Sequence, residues 1–148
     1  MAETVVIGRS KAIGAIYFAT PAATSNVTAT PIKAAGTTAA QGTAFLVTQA
    51  TTNRLTYTGS RTRTFYVAFI GSVTAAAATN AVFHLYLSGA PITGASTGRS
   101  FPIADRGNAV IHCIVDVATN GYIELWCETD DGDDLTIQTG VLSMMSVD

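Results

Sequence analysis

The sequence predicts an all-β fold, an antiparallel two-sheet sandwich of the jelly-roll type. Segments rich in β-branched and aromatic residues, about eight or nine in all, recur roughly every 10 to 15 residues. Glycine, proline or an Asn-Gly pair stands at most of the corners between them, where a chain reverses direction. No segment repeats its apolar residues with the 3.6-residue period of a helix.

Composition favours a single domain that works in an assembled state. The chain has 148 residues, of which only 12% are charged, and its formal net charge is -2. A surface with so little charge is poor at keeping molecules apart. We therefore expect an oligomer, with residues 1–12 as an N-terminal arm and residues 13–148 as the sandwich domain.

The chain before residue 60 contains four predicted strands, and the second of them is a short strand inside a long loop. Ile13–Thr20 alternates apolar residues and stops at Pro21, which cannot donate a ladder hydrogen bond. Residues 22–41 are rich in Ala and Thr without a helical stripe, so they predict a surface loop with a short strand near Val27–Ile32. Thr43–Thr48 and Arg54–Thr58 are the next predicted strands.

Thr62–Thr74 is the most hydrophobic predicted strand, and both of its faces are apolar. Phe65, Val67 and Phe69 face one way, and Tyr66, Ala68 and Ile70 face the other. One face of an antiparallel sheet is usually wet, so a doubly apolar strand indicates a second layer or an interface. We interpret the face of Tyr66, Ala68 and Ile70 as a subunit interface.

The central stretch Asn108–Trp126 predicts a β-hairpin that turns at Asn120-Gly121. In its second strand, Ile123, Leu125 and Cys127 share one face, and Tyr122, Glu124 and Trp126 share the other. Large amphipathic rings are favoured where two surfaces meet, so this mixed face is also expected at an interface.

The remaining segments complete the predicted architecture. Ala75–Asn80 is expected as a tip loop, Ala81–Ser88 as a strand, and residues 91–107 as an irregular connection with a short edge strand near Ile92. Leu135–Val147 closes the chain as two strands around a kink at Gly140, with Leu142 and Met144 on the face opposite Val141.

No residue pattern indicates catalysis, a cofactor or a metal. His84 and His112 lack ligand partners at a suitable spacing, and Cys113 and Cys127 belong to no CxxC motif and are expected as buried free thiols. The acidic segment Glu128–Asp134 departs from the EF-hand pattern, so a solvated turn is favoured over a weak cation site. Scattered basic residues and the absence of a long apolar run argue against nucleic-acid and membrane partners.

The segments from Arg54 to Gly59, from Arg63 to Val73, from Asn80 to Ile92, from Tyr122 to Trp126 and from Leu135 to Val147 resemble bacteriophage virion proteins. The jelly-roll domains of those proteins are like the trimeric heads of the tumour-necrosis-factor and complement families. The segments are RLTYTG, RTFYVAFIGSV, NAVFHLYLSGAPI, YIELW and LTIQTGVLSMMSV, which occur in the family's order, and the resemblance covers about residues 42–147. The resemblance implies a homotrimer whose inner sheet faces the threefold axis. The implied interface residues are Tyr66, Ala68, Ile70, Tyr122, Glu124, Trp126, Leu142 and Met144.

The resemblance also implies a structural role in a virus. We expect a non-enzymatic capsid decoration protein, made in the host cytoplasm, that binds the major capsid protein and stabilises the outer surface of the virion. The alternative is a tail or fibre tip that binds a host receptor or glycan. Candidate capsid contacts lie in the arm, at Val5, Val6, Ile7, Arg9 and Lys11.

Overall fold

The computed structural model describes residues 10–25 and 27–147. In this part of the chain the regular structure consists of β-strands, and the order along the chain is β1 Ile13–Thr20, β2 Ala23–Thr24, β3 Ile32–Lys33, β4 Thr37–Ala40, β5 Val47–Thr48, β6 Leu55–Tyr57, β7 Arg63–Ala75, β8 Thr79–Leu87, β9 Ala90–Phe101, β10 Arg106–Val117, β11 Tyr122–Thr129 and β12 Leu135–Ser146. The predicted all-β class is confirmed.

The strands form two antiparallel sheets. Sheet A has the order β10-β7-β12-β1-β4, and β2 also pairs with β12. Sheet B has the order β5-β6-β11-β8-β9, and β3 also pairs with β11. Neighbours in each sheet are mostly distant in sequence, as expected of a jelly roll.

The core lies between the sheets and is made by alternate residues of the long strands. From sheet A it takes Phe65, Val67 and Phe69 of β7, together with Leu142 and Met144 of β12. From sheet B it takes Phe83, Leu85, Ile123, Leu125 and Cys127. The predicted inward faces of β7 and β11 are therefore confirmed, because a period of two places every second side chain in the core.

Two paired glycines make room for the ring of Phe69 in sheet A. Gly71 of β7 lies opposite Gly140 of β12. A Cβ atom on Gly71 would lie 2.5 Å from Phe69 Cζ, and one on Gly140 would lie 2.9 Å from Phe69 Cε2. The predicted kink at Gly140 is thus part of a continuous strand that has a register shift between Ile137 and Thr139.

The predicted central hairpin is wrong, because its two strands belong to different sheets. β10 pairs with β7 along its whole length, whereas β11 pairs with β8, β6 and β3. Residues 118–121 turn the chain from one sheet to the other, and β6 holds this turn because Asn120 N donates to Tyr57 O at 2.8 Å. An Asn-Gly pair specifies a reversal of direction and leaves open whether the reversed strands pair.

The expected irregular connection over residues 91–107 is also wrong. Most of it is β9, which pairs with β8 and forms an edge of sheet B. Its side chains are small and polar and most are exposed, so the hydrophobic alternation that reveals a strand is absent. Pro91 is tolerated because it is the second residue of an edge strand.

Smaller differences occur in the first half of the chain. The predicted strand Thr43–Thr48 reduces to β5, since Leu46 has a φ of 53° that interrupts extended backbone. The predicted strand near Val27–Ile32 is displaced, and β2, β3 and β4 carry the pairing of this region instead. The predicted arm lies outside the described residues except for Ser10, Lys11 and Ala12.

Candidate functional site

The outer face of sheet A carries a continuous set of apolar side chains across four strands. Cross-strand pairing aligns three rows, which are Val110, Ile70, Val141 and Tyr17, then His112, Ala68, Ser143 and Ala15, and then Ile114, Tyr66, Met145 and Ile13. The first and third rows contain only large apolar or aromatic residues. We call the surface formed by these twelve residues the apolar face.

Large side chains of the apolar face are strongly exposed in the single chain. Ile114 is 67% exposed and Ile70 is 60% exposed. Scattered exposed hydrophobic residues are normal on proteins, whereas a contiguous patch marks an interaction surface. The apolar face has the composition of an interface core, in which charged residues are depleted.

A depression opens in the apolar face beside the glycine pair. It encloses about 430 Å³ and is lined in part by Ile70, Val110 and Val141. Gly71 and Gly140 also belong to its lining. A surface of this shape can receive side chains from a partner.

The outer face of sheet B is organised differently, around the buried carboxylate of Glu124. Lys33 Nζ donates to Glu124 Oε1 at 2.7 Å, and Arg54 Nε donates to the same oxygen at 2.8 Å. Trp126 Nε1 donates to Glu124 Oε2 at 3.1 Å. The three donors come from β3, from the residue that precedes β6 and from β11 itself, so one carboxylate joins three segments of chain.

Aromatic rings extend this arrangement on both sides. The ring of Trp126 stacks on Tyr86 with centroids 4.4 Å apart and planes inclined by 10°. The Arg54 guanidinium lies 3.8 Å from the centre of the Tyr122 ring. We call Lys33, Arg54, Tyr86, Tyr122, Glu124 and Trp126 the Glu124 cluster. Its members take their partners from within the chain.

The environment of Glu124 favours its ionised form. Burial by itself disfavours a charged carboxylate and raises the pKa, but the hydrogen bonds from Lys33, Arg54 and Trp126 together outweigh it. The pKa of Glu124 is consequently lowered. A buried carboxylate with this donor set is a structural ion pair.

These positions divide the predicted interface residues into three groups. Tyr66, Ala68 and Ile70 lie on the apolar face, as expected. Tyr122, Glu124 and Trp126 lie on the opposite sheet, because β11 belongs to sheet B, so they cannot share a surface with Tyr66. Leu142 and Met144 are each 1% exposed and belong to the core, so their assignment to an interface is wrong.

Several members of the apolar face are not among the interface residues predicted from the sequence. β10 alternates inward Ile111 with outward Val110 and Ile114, a doubly apolar pattern like that of β7. The same signal that singled out Tyr66 and Ile70 was therefore present in β10. On β12 the outward residues are Val141, Ser143 and Met145, which a shift of one position would have identified.

The acidic segment at the end of β11 is tied to the start of β8. Asp130 Oδ1 accepts from Asn80 N at 3.0 Å, and Asp130 Oδ2 accepts from Asn80 Nδ2 at 2.6 Å. These hydrogen bonds hold the pKa of Asp130 below its usual value. The carboxylate thus joins two strand ends, and among the described residues no group of three His, Cys, Asp or Glu side chains is arranged to hold a metal.

The remaining predicted residues are placed as follows. Cys113 and Cys127 are free thiols on different sheets, and burial raises the pKa of Cys127 to about 12. Cys127 is buried as expected, whereas Cys113 is only partly buried.

Lys11 is exposed, and Val5, Val6, Ile7 and Arg9 lie outside the described residues. Within the described ranges, no helix has the length and hydropathy to cross a membrane.

Solved structures share this fold across nearly the whole chain. The Eiger TNF structure from S. frugiperda matches with a TM-score of 0.67 and 10% identity, covering 95% of this chain and 94% of that one. Murine APRIL matches with a TM-score of 0.53 and 8% identity, covering 91% and 99%. The globular domain of zebrafish complement 1qA matches with a TM-score of 0.46 and 12% identity, covering 94% and 98%.

The fold assignment rests on the first two matches, which identify a tumour-necrosis-factor-like jelly roll. No protein-family model matches the sequence, and no curated protein matches it either.

Proposed function

We propose that this protein is a homotrimeric structural protein whose subunits associate through the apolar face. The observation that carries the proposal is the large exposed apolar surface across β1, β7, β10 and β12. Burying such a surface against a second copy stabilises an assembly through the hydrophobic effect. Threefold symmetry is supported by the resemblance to trimeric heads and by the tumour-necrosis-factor-like fold.

The proposed role of the trimer is to decorate and stabilise the outer surface of a bacteriophage capsid. The sequence segments that resemble phage virion proteins support this role, as does the small number of charged groups on a chain suited to permanent assembly. A symmetric knob that binds several capsid subunits at once stabilises the shell by mass action. The role needs no catalytic group.

We propose that the shell contacts the end of the sandwich where Lys11 lies. Arg63 Nη1 donates to Ser10 O at 2.9 Å, and Val147 N donates to Thr64 O at 2.9 Å, so both ends of the described chain meet the start of β7. Arg61 lies in the loop before β7. The acidic segment Asp130–Asp134 joins the end of β11 to the start of β12. The start of β12 pairs with the end of β7, so this segment lies at the other end of the sandwich. The candidate contact Lys11 is thus on the more basic end.

The experiment that tests self-association is a mass measurement on a matched pair of isoleucine variants. Ile114 in the apolar face and Ile103 in the loop before β10 are 67% and 66% exposed in the single chain. Ile114→Asp places a charge in the proposed interface, where an unpaired charge is strongly disfavoured. We expect light scattering to give a trimer for the wild type and a folded monomer for Ile114→Asp.

Two controls define what would contradict the interface. Ile103→Asp changes an equally exposed isoleucine outside the apolar face, and Trp126→Ala changes the largest ring of the opposite sheet. Both variants are expected to keep the wild-type mass. A monomeric wild type at micromolar concentration, or equal loss of mass in Ile103→Asp, would exclude the apolar face as the interface.

A count of copies in purified virions tests the capsid role. A decoration protein occupies many equivalent sites on the shell, whereas a fibre tip is present only at the few ends of a tail. We expect the copy number to scale with the number of shell subunits. A copy number matching the tail fibres would instead support the alternative of a receptor-binding tip.

A further inference from the structure

His112 occupies the centre of the apolar face. It stands in the middle row of the face, opposite Ala68 of β7, and the same row continues through Ser143 and Ala15. The rows on either side contain Ile70 and Val110, and Tyr66 and Ile114. It is one of only two histidines in the chain.

The imidazole of His112 contacts the ring of Tyr66. The two rings stack with centroids 6.0 Å apart and planes inclined by 26°. Among the described residues, no side chain donates a hydrogen bond to the imidazole or accepts one from it. The side chain is exposed, so in the single chain either protonation state is hydrated.

Charged groups are few on the strands around His112. β1 and β12 contain no charged residue, and β7 contains only Arg63, whose guanidinium binds Ser10 O at the end of the sheet. On β10 itself, Asp116 lies four residues away, about 13 Å along the strand. The carboxylate of Asp116 accepts a hydrogen bond from Thr64 Oγ1 at 2.6 Å.

The other charges near β10 lie toward its far end. Arg106 is the first residue of β10, six positions from His112. Arg99 of β9 lies against Gly107, since a Cβ atom on Gly107 would overlap the Arg99 guanidinium. Tyr66 and Tyr17 are the phenols of the apolar face. No carboxylate therefore directly faces His112 from β7, β10 or β9.

We propose that protonation of His112 disassembles the oligomer, so that self-association through the apolar face is sensitive to pH. The inference rests on the proposed function, because it takes the apolar face as the contact between copies. Histidine is the side chain whose charge ordinarily changes between about pH 5 and 8. Removing a charged imidazole from water without an acidic partner costs far more than removing a neutral one.

The direction of the effect follows from linkage. Assembly buries His112 and favours its neutral form, so the separated chains bind more protons than the assembled ones. Association therefore weakens as the pH falls. The stack on Tyr66 is within one chain and is present before and after assembly, so it does not offset this difference.

The test measures oligomer mass against pH for the wild type and two histidine variants. By analytical ultracentrifugation, we expect the half-dissociation concentration of the wild type to rise roughly tenfold between about pH 8 and pH 5.8, because every chain of the oligomer must release a proton on assembly. His112→Gln removes the titrating group and keeps a polar side chain, so its association should be independent of pH in this range.

The matched control is His84→Gln, which removes the only other imidazole of the chain. His84 lies on sheet B, with Nε2 3.2 Å from Glu128 Oε1, so its replacement should preserve the pH dependence. If the wild type assembles equally well at both pH values, or if His84→Gln abolishes the dependence, the inference is overturned while the trimer proposal stands. A wild type that is monomeric at pH 8 contradicts the proposed function itself.

Discussion

At the scale of single residues, Glu124 has a structural role on the outer face of sheet B, which the sequence had predicted to be an interface. Its side chain is 3% exposed and binds two cations that are each 30% exposed. The cations keep part of their hydration while the carboxylate gives up its own. The ionised carboxylate therefore depends on its three donors, Lys33, Arg54 and Trp126.

We predict that Glu124→Gln lowers the free energy of unfolding by about 1 to 3 kcal/mol near neutral pH, the cost of weakening hydrogen bonds to a charged group. The pKa of Glu124 is lowered from its ordinary value of 4.5, so its contribution is complete above that pH and is lost as the pH falls through the folded-state pKa. Urea unfolding should therefore show the variant and the wild type converging in acid.

Glu128→Gln provides the comparison for this prediction. Glu128 lies on the same strand and on the same face, but its side chain is 25% exposed and contacts only His84 among the described charged groups. Exposed pairs contribute little, so its replacement should cost less than about 1 kcal/mol. Equal effects of the two substitutions would contradict a structural role for the Glu124 cluster.

At the scale of elements, β7 and β12 pair closely beside the core ring of Phe69 because glycines lie opposite each other there. A Cβ atom on Gly71 would lie 2.5 Å from Phe69 Cζ and 2.9 Å from Thr139 O. The second contact is with backbone, which cannot rotate away. The pairing of β7 with β12 therefore depends on the absence of a side chain at this position.

We predict that Gly71→Ala destabilises the fold by about 1 to 3 kcal/mol through overpacking. In β9, a Cβ atom on Gly98 would meet only Ala81 O at 3.9 Å, so Gly98→Ala should be neutral or stabilising by up to about 1 kcal/mol. Chemical denaturation of both variants measures the difference. Similar stability of the two would show that the sheet absorbs the added methyl group.

At the scale of the whole molecule, the two outer sheet faces have different chemistry. On the outer face of sheet B, the large side chains cover one another, because Trp126 stacks on Tyr86 and Arg54 lies over Tyr122. Sheet A leaves Ile70, Val110 and Ile114 uncovered. A chain with one covered face and one exposed apolar face is suited to association with further copies on the exposed side.

Much of the fold was accessible from the sequence. Hydrophobic alternation predicted the all-β class, the strands β1, β7 and β8, and the inward faces of β7 and β11. It also placed Tyr66 and Ile70 on an outward apolar surface. These predictions succeed because alternation is a local property, determined by the two-residue period of an extended chain and by the need to bury one face.

The assignment of strands to sheets was decided only by the tertiary structure. Asn120-Gly121 indicates a reversal, but β10 finds its partner in β7 and β11 finds its partner in β8, each more than 30 residues away. The same long-range pairing placed Trp126 opposite the apolar face and Leu142 in the core. A strand with two apolar faces satisfies local rules in either orientation, so only packing against distant strands determines which face is buried and which meets a partner.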